Sequence, residues 1–192
     1  MLAAVHLASC SQSVYVQSDF PDPLVEALPY RIGLRYTPDF LDYSYTEDLP
    51  NDVAWSFSIG SSNKKLFDKV FASLFQETVI LADGDSTEGL DLVVEPSVSA
   101  LEFSLPRQSR TDQYAVWIRY NLMVSGPDGQ LITNWPISAY GQSDSRRFKG
   151  DKSMRQATVK AMRDAAASII QGFTEEEKIK QALTGSSEDE ET

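Results

Sequence analysis

In a chain of 192 residues, the side chains best suited to covalent or acid–base work near neutral pH occur once each, as Cys10 and His6. A lone cysteine forms no intrachain disulfide and no multi-thiolate metal site. His6 lies within the apolar run that precedes Cys10, so a mature form cut at that cysteine would hold no histidine. Histidine-based triads, histidine-ligated zinc and histidine proton transfer would all go with it. No HExxH, CxxC, Gly-x-Ser-x-Gly or calcium-loop pattern occurs, and no glycine-rich phosphate loop opens a helix.

Three other groups have chemical potential. Asp83-Gly84-Asp85-Ser86-Thr87-Glu88 is the densest set of oxygen donors outside the C-terminal tail. Its carboxylates are of the type that holds calcium, but Asp, Gly and Ser between strands more often make a turn. No metal and no cofactor is expected. Tyr36, Phe40, Tyr43, Tyr45, Trp55 and Phe57 crowd the early strands. Core and cross-strand packing explains such a cluster; the sharper account puts Tyr43 and Tyr45 on a partner-binding face. Arg146, Arg147 and Lys149 form a small basic group, either a solvated loop or a contact for an acidic partner.

The elements that position these groups follow from periodicity. Ile32, Leu34 and Tyr36 alternate with polar or small residues, as do Leu41, Tyr43 and Tyr45, then Trp55, Phe57 and Ile59. Leu66, Phe67, Val70, Phe71, Leu74 and Phe75 switch to a helical stripe over about 62–77, with Ser61 or Ser62 as N-cap. Further strands are expected at 78–82, 90–95 and 98–105. Residues 112–125 alternate longest, with Tyr114, Val116, Ile118, Tyr120, Leu122 and Val124 on one face and Trp117, Arg119 and Met123 on the other. Gly126-Pro127-Asp128-Gly129 turns the chain into a return strand over 131–141, where Pro136 implies an edge or a bulge. Ala157, Ala161 and Ala165 place small residues on a second helix, 153–172, capped by Ser153 and able to approach a sheet closely. Helices separated by runs of strands indicate an α+β fold: a mainly antiparallel curved sheet with two helices packed on one face.

The expected domain organisation is a leader over 1–10, an extended proline-bearing tether over 11–29 and one α+β domain over 30–173. An acidic, largely disordered tail over 174–192 completes it. The net charge of −11 argues against nucleic acid, which requires a basic surface, and against electrostatic attraction to an anionic membrane. No apolar run approaches the ~20 residues of a membrane-spanning helix.

Leu7-Ala8-Ser9-Cys10 resembles a bacterial lipobox. A secretory leader carries a basic n-region and a longer apolar core. Neither stands before Leu7, so this reading expects the true start to lie upstream. The resemblance implies a signal peptide cut before Cys10, a diacylglycerol on its thiol and a further acyl chain, such as palmitate, on its new amine. With the tether and the mixed domain, the layout resembles small Gram-negative envelope lipoproteins. Similar plans occur in lipoproteins that support lipopolysaccharide transport, curli secretion and exopolysaccharide export. What this implies is a non-enzymatic structural or assembly component, lipid-anchored in the outer membrane and facing the periplasm. Its partners would be the membrane, through Cys10, and an envelope protein, with a homo-oligomer as one candidate assembly. The alternative is a periplasmic lipid- or glycan-binding module with a cavity between sheet and helices. A carboxylate hydrolase has no motif behind it.

Overall fold

The Gly126–Gly129 turn closes through Gly126 N–H donating to the Gln130 carbonyl at 2.9 Å, with Gly129 at the positive φ of 79° that the turn requires. It joins the two longest strands, here β7 (Gln113–Ser125) and β8 (Leu131–Asp144), in an antiparallel pair. The computed structural model describes residues 11–50, 52–147 and 150–188. Before this hairpin come β1 (Ser11–Tyr15), β2 (Leu28–Arg35), α1 (Pro38–Leu41), β3 (Ser44–Glu47) and β4 (Ala54–Ser58). They are followed by α2 (Gly60–Leu74), β5 (Phe75–Leu81), β6 (Leu92–Ser104) and α3 (Pro106–Ser109); α4 (Asp151–Gly172) and α5 (Glu177–Glu188) come after the hairpin.

The fold is α+β. A five-stranded sheet runs β5-β2-β6-β7-β8 and a three-stranded one β1-β4-β3. The long ladders β6–β7 and β7–β8 are antiparallel, whereas β1–β4, β2–β5 and β2–β6 are parallel. Both long helices cover one face of the large sheet. From α2, Phe67 lies 5.6 Å, ring to ring, from Tyr120 on β7. From α4, the backbone at Ala157 and Ala161 comes so near β8 that a Cβ on Gly141 would collide with it. The small sheet joins the same core, with Phe57 on β4 at 5.1 Å from Phe103 on β6.

Several expectations need correction. Residues 11–20, expected within the tether, are built into the fold: β1 pairs with β4, and Val14, Val16 and Phe20 are buried. Their spacing is too short for a periodic signal, and only the partner strand reveals them. At the other end α5 buries Ile179 and Leu183, so the acidic segment is helical to Glu188. The strand expected over 41–45 is replaced by α1 and then β3. Pro38 sits at the start of α1, and the Thr37 hydroxyl accepts from Phe40 N at 3.3 Å, a start signal that outweighs the alternation.

The strands expected on either side of Pro96 are one, β6. Strand β2 pairs only with Leu92–Val94, so beyond them β6 is unpaired on that side and proline forfeits no ladder bond there. Helix α2 stops at Leu74, and Phe75 begins β5. Neither expected serine cap is used. Ser62 donates to the Val16 carbonyl at 2.6 Å, fixing the chain after β1, and Ser153 donates to the Asp144 carbonyl at 3.4 Å.

Candidate functional site

The sequence-derived site residues do not converge. Cys10 lies outside the described residues. Tyr43, half-buried, precedes β3; its carbonyl accepts from Ile59 N and Gly60 N, and burial pushes its phenol above the ordinary range. Tyr45 donates its hydroxyl to Glu47 Oε2 at 2.8 Å, and this bond, with burial second, pushes its pKa up to about 12. Its ring packs 6.4 Å from Phe57. Arg146 is exposed but paired, 3.0 Å from Asp144 and 3.8 Å from Asp112, and its hydrogen bonds hold the Asp144 carboxyl below its ordinary value. Arg147 borders a shallow polar depression with Gln113, Gln142 and Lys160. Among the described residues no hydrogen bond or ion pair joins the tyrosines to this basic turn.

A different surface emerges from the sheet. Alternation sends Val116, Ile118 and Tyr120 into the core and Trp117, Arg119 and Met123 to the opposite face, which neither α2 nor α4 covers. Trp117 and Tyr140 are register partners on β7 and β8, each 41% exposed, with ring centroids 5.1 Å apart. Arg119 and Glu102, paired at 2.6 Å, border them, and together they frame a shallow cavity of about 270 Å³. Paired aromatics beside a satisfied ion pair form an apolar patch with a polar rim, the usual anatomy of a protein-docking surface. The alternation that exposes Trp117 is legible in sequence; that the face is left uncovered is not.

The edge of β8 is not open for strand pairing at the same place. Tyr140 N donates to Asp164 on α4 at 2.9 Å, and Lys160 donates to the Gln142 carbonyl at 2.8 Å. Pro136 has the same parity as these residues, so its missing N–H falls on the side away from β7. A strand edge blocked by side chains and proline resists edge-to-edge association, which leaves the flat aromatic face as the accessible surface of this hairpin.

The helix layer carries the other feature. Between sheet and helices the side chains are buried and in contact, and the cavity expected there for a ligand is filled by Phe67, Phe71, Tyr120, Met154 and Met162. On the outer side, a groove of about 230 Å³ follows the seam of α2 and α4. Leu66 and Val70 form one side and Ala166 and Ile170 the other, with Phe20 to Pro23 as a wall. Lys69 holds that wall: its ammonium donates to the Phe20 carbonyl at 2.6 Å and pairs with Asp22 at 3.0 Å and Asp19 at 3.4 Å.

The carboxylate loop is a turn. Asp85 accepts from Ala82 N at 2.7 Å, and Thr87 donates to the Pro127 carbonyl at 2.6 Å. Among the described residues no group of three His, Cys, Asp or Glu side chains is arranged to hold a metal ion. None of their helices is long and apolar enough to cross a membrane.

No protein-family model matches the chain, and no curated protein does. Among solved structures it is similar to protein XCC0632 from Xanthomonas campestris, of the DUF330 family. That match has a TM-score of 0.54 and 11% identity over 95% of this chain and 99% of that one. At this identity the likeness shows the fold alone. A homologue of neuraminyllactose-binding hemagglutinin from Helicobacter pylori gives a TM-score of 0.49, with 14% identity over 90% of this chain and all (100%) of that one. A minor lipoprotein from Acinetobacter baumannii gives 0.43, with 9% identity over 81% and 96% of the two chains. These two scores are too low to carry an argument.

Proposed function

We propose that this chain is a non-enzymatic envelope lipoprotein, anchored in the outer membrane on its periplasmic side through acylated Cys10. It would act as an assembly component that docks a protein partner. The observation that carries the docking role is the uncovered sheet face with Trp117 against Tyr140. The lipobox-like Leu7–Cys10 supports the anchor, since several acyl chains at ~0.8 kcal/mol per buried methylene make release from a bilayer negligible. The shifted phenols support a non-catalytic reading. Tyr36 and Tyr120 are pushed well above the ordinary range by burial, which suits packed hydroxyls and not proton transfer near neutral pH.

Cys10→Ser tests the anchor: palmitate labelling and detergent-dependent sedimentation should both disappear. Retention of membrane attachment by this variant would sink that half. For docking, a photo-crosslinker at Ser138, beside the aromatic pair, should trap one discrete protein. The adduct should be lost when Trp117 and Tyr140 are both changed to Ala; an adduct indifferent to both changes would sink the other half.

The second reading, a lipid- or glycan-binding module, keeps one specific observation in its favour. It is the apolar groove between α2 and α4, outside the packed core.

A further inference from the structure

The groove between α2 and α4 has a charge arrangement that its apolar lining does not require. Three charged side chains border it: Asp22, Lys69 and Arg163. Lys69 and Asp22 neutralise each other at 3.0 Å, and Lys69 also holds the Phe20 carbonyl and Asp19. Arg163 is exposed and has no hydrogen-bond or ion-pair partner among the described residues. Asp164, next to it in sequence, is occupied by Tyr140 N at 2.9 Å. The groove therefore presents an apolar trough with one uncommitted guanidinium on its border.

Size narrows the occupant. Sites for folded small molecules run to roughly 300–1,000 Å³, and this groove holds about 230 Å³. The occupant is therefore small, of the size of one acyl chain and its head. The trough is shaped by alanines, Ala166 and Ala167 on α4, set against Leu66 and Val70 on α2. Leu24 and Val25, which follow the wall in the chain, are exposed. We propose that this groove binds a single-chain anionic amphiphile as a free monomer, its acyl chain along the α2–α4 seam and its acidic head on Arg163. The inference rests on the second reading above and is independent of the lipid anchor and of the aromatic face.

The overall charge of −11 opposes an anion, so the local term has to win. At physiological ionic strength charges beyond ~8 Å are largely screened. A carboxylate in contact with a guanidinium forms a charge-assisted bond roughly twice as strong as a neutral one. Within that radius Lys69 faces two carboxylates, Asp22 and Asp19, and Arg163 offsets the excess, so the groove is electrically neutral. The head is recognised by direct contact with Arg163, the cation bordering the groove that has no partner among the described residues.

The test uses the full chain carrying Cys10→Ser, so that no acyl group of its own competes. Isothermal titration is run with dodecanoate and with dodecyl maltoside, each below its critical micelle concentration. Dodecanoate should bind saturably at one site and more tightly than the neutral maltoside. Arg163→Gln should weaken dodecanoate about tenfold, the loss of one charged hydrogen bond, and leave the maltoside unchanged. Ala167→Phe, an exposed position, should abolish binding of both while the circular dichroism spectrum and melting temperature stay those of the parent. Absence of saturable binding to either amphiphile would overturn this inference and the lipid half of the second reading together. Equal binding of both amphiphiles, or no effect of Arg163→Gln, would overturn the assignment of the head group alone. A folded Ala167→Phe protein that still binds dodecanoate would overturn the location.

Discussion

Gly141→Ala probes the contact that seats α4 on the sheet. Gly141 lies on β8 beneath the alanine-rich stretch of α4, and an added Cβ would fall inside contact distance of the Ala157 carbonyl oxygen and the Ala161 nitrogen. It would also meet the Lys160 carbonyl carbon at 2.9 Å. All three are backbone atoms, so no side-chain rotamer relieves the overlap, and the helix has to lift. Overpacking of this kind costs ~1–3 kcal/mol, and the rigid neighbours put this site at the upper end. Replacing a strand glycine by alanine returns roughly 0.5–1 kcal/mol of backbone entropy. The net expectation is a loss of about 2 kcal/mol, or about 4–8 °C in Tm for a chain of this size.

Urea unfolding followed by far-ultraviolet circular dichroism measures it, with a lower midpoint and an unchanged slope as the expected result. Gly185→Ala is the control. It lies in α5 with nothing within 4 Å of an added Cβ, so helix propensity alone should raise stability by up to ~1 kcal/mol. A midpoint for Gly141→Ala equal to or above that of the parent would refute the close approach of α4 to β8.

Three further outcomes are expected. Phe71→Ala should cost ~3–5 kcal/mol in the same unfolding assay, because Phe71 is fully buried and packs against Phe67, Phe75 and Phe173 at 6.3, 6.1 and 5.2 Å. Tyr45 should titrate near pH 12, and Tyr45→Phe should remove that step from the tyrosine absorbance curve. Since its folded pKa is raised, its contribution to stability is complete below pH 10 and is lost as pH rises through about 12. Asp144 has the opposite sign: held low by the Arg146 hydrogen bonds, its contribution is present above pH 3.8 and is lost as pH falls through the lower folded value. Carboxyl-detected NMR of Arg146→Gln should return Asp144 towards 3.8.

Side-chain periodicity made the layers of this fold legible, because a buried face imposes it directly. The alternation of β7, the paired stripe of α2 and the alanines of α4 all mark surfaces that the core covers. Strand partnership has no such local signature. Nothing in Ser11–Tyr15 announces a parallel pairing with Ala54–Ser58, since its only fully buried side chain is Val14. Serine chemistry was ambiguous for a related reason. A serine caps a helix only from the position just before it, and α2 starts at Gly60, so Ser62 lies inside the first turn and donates instead to the Val16 carbonyl 46 residues away in the chain. The same limit applies to the candidate surfaces. Tyr43 and Tyr45 look available by composition, yet Tyr45 is bonded to Glu47 and packed on Phe57. Trp117 and Tyr140 are presented because α2 and α4 both pack on the other face of the sheet, a property of the assembled fold.

The aromatic face and the groove look in opposite directions. Val116, Ile118 and Tyr120 point from β7 towards the helices, and Trp117, Arg119 and Met123 point away. An occupant of one surface therefore cannot touch an occupant of the other, and a protein partner on the sheet leaves the α2–α4 seam free. Yet the two are joined by a short physical route. Tyr140, half of the aromatic pair, donates its backbone N–H to Asp164, and Asp164 follows Arg163, the free cation on the groove, along α4. Helix α4 also bears on Gly141, the next residue of β8. A displacement of α4 would shift Arg163 on one side and the Tyr140–Gly141 backbone on the other. If the two sites prove to be energetically linked, Asp164→Asn should weaken that linkage while leaving each separate binding event measurable, because Asp164 touches β8 and borders neither surface.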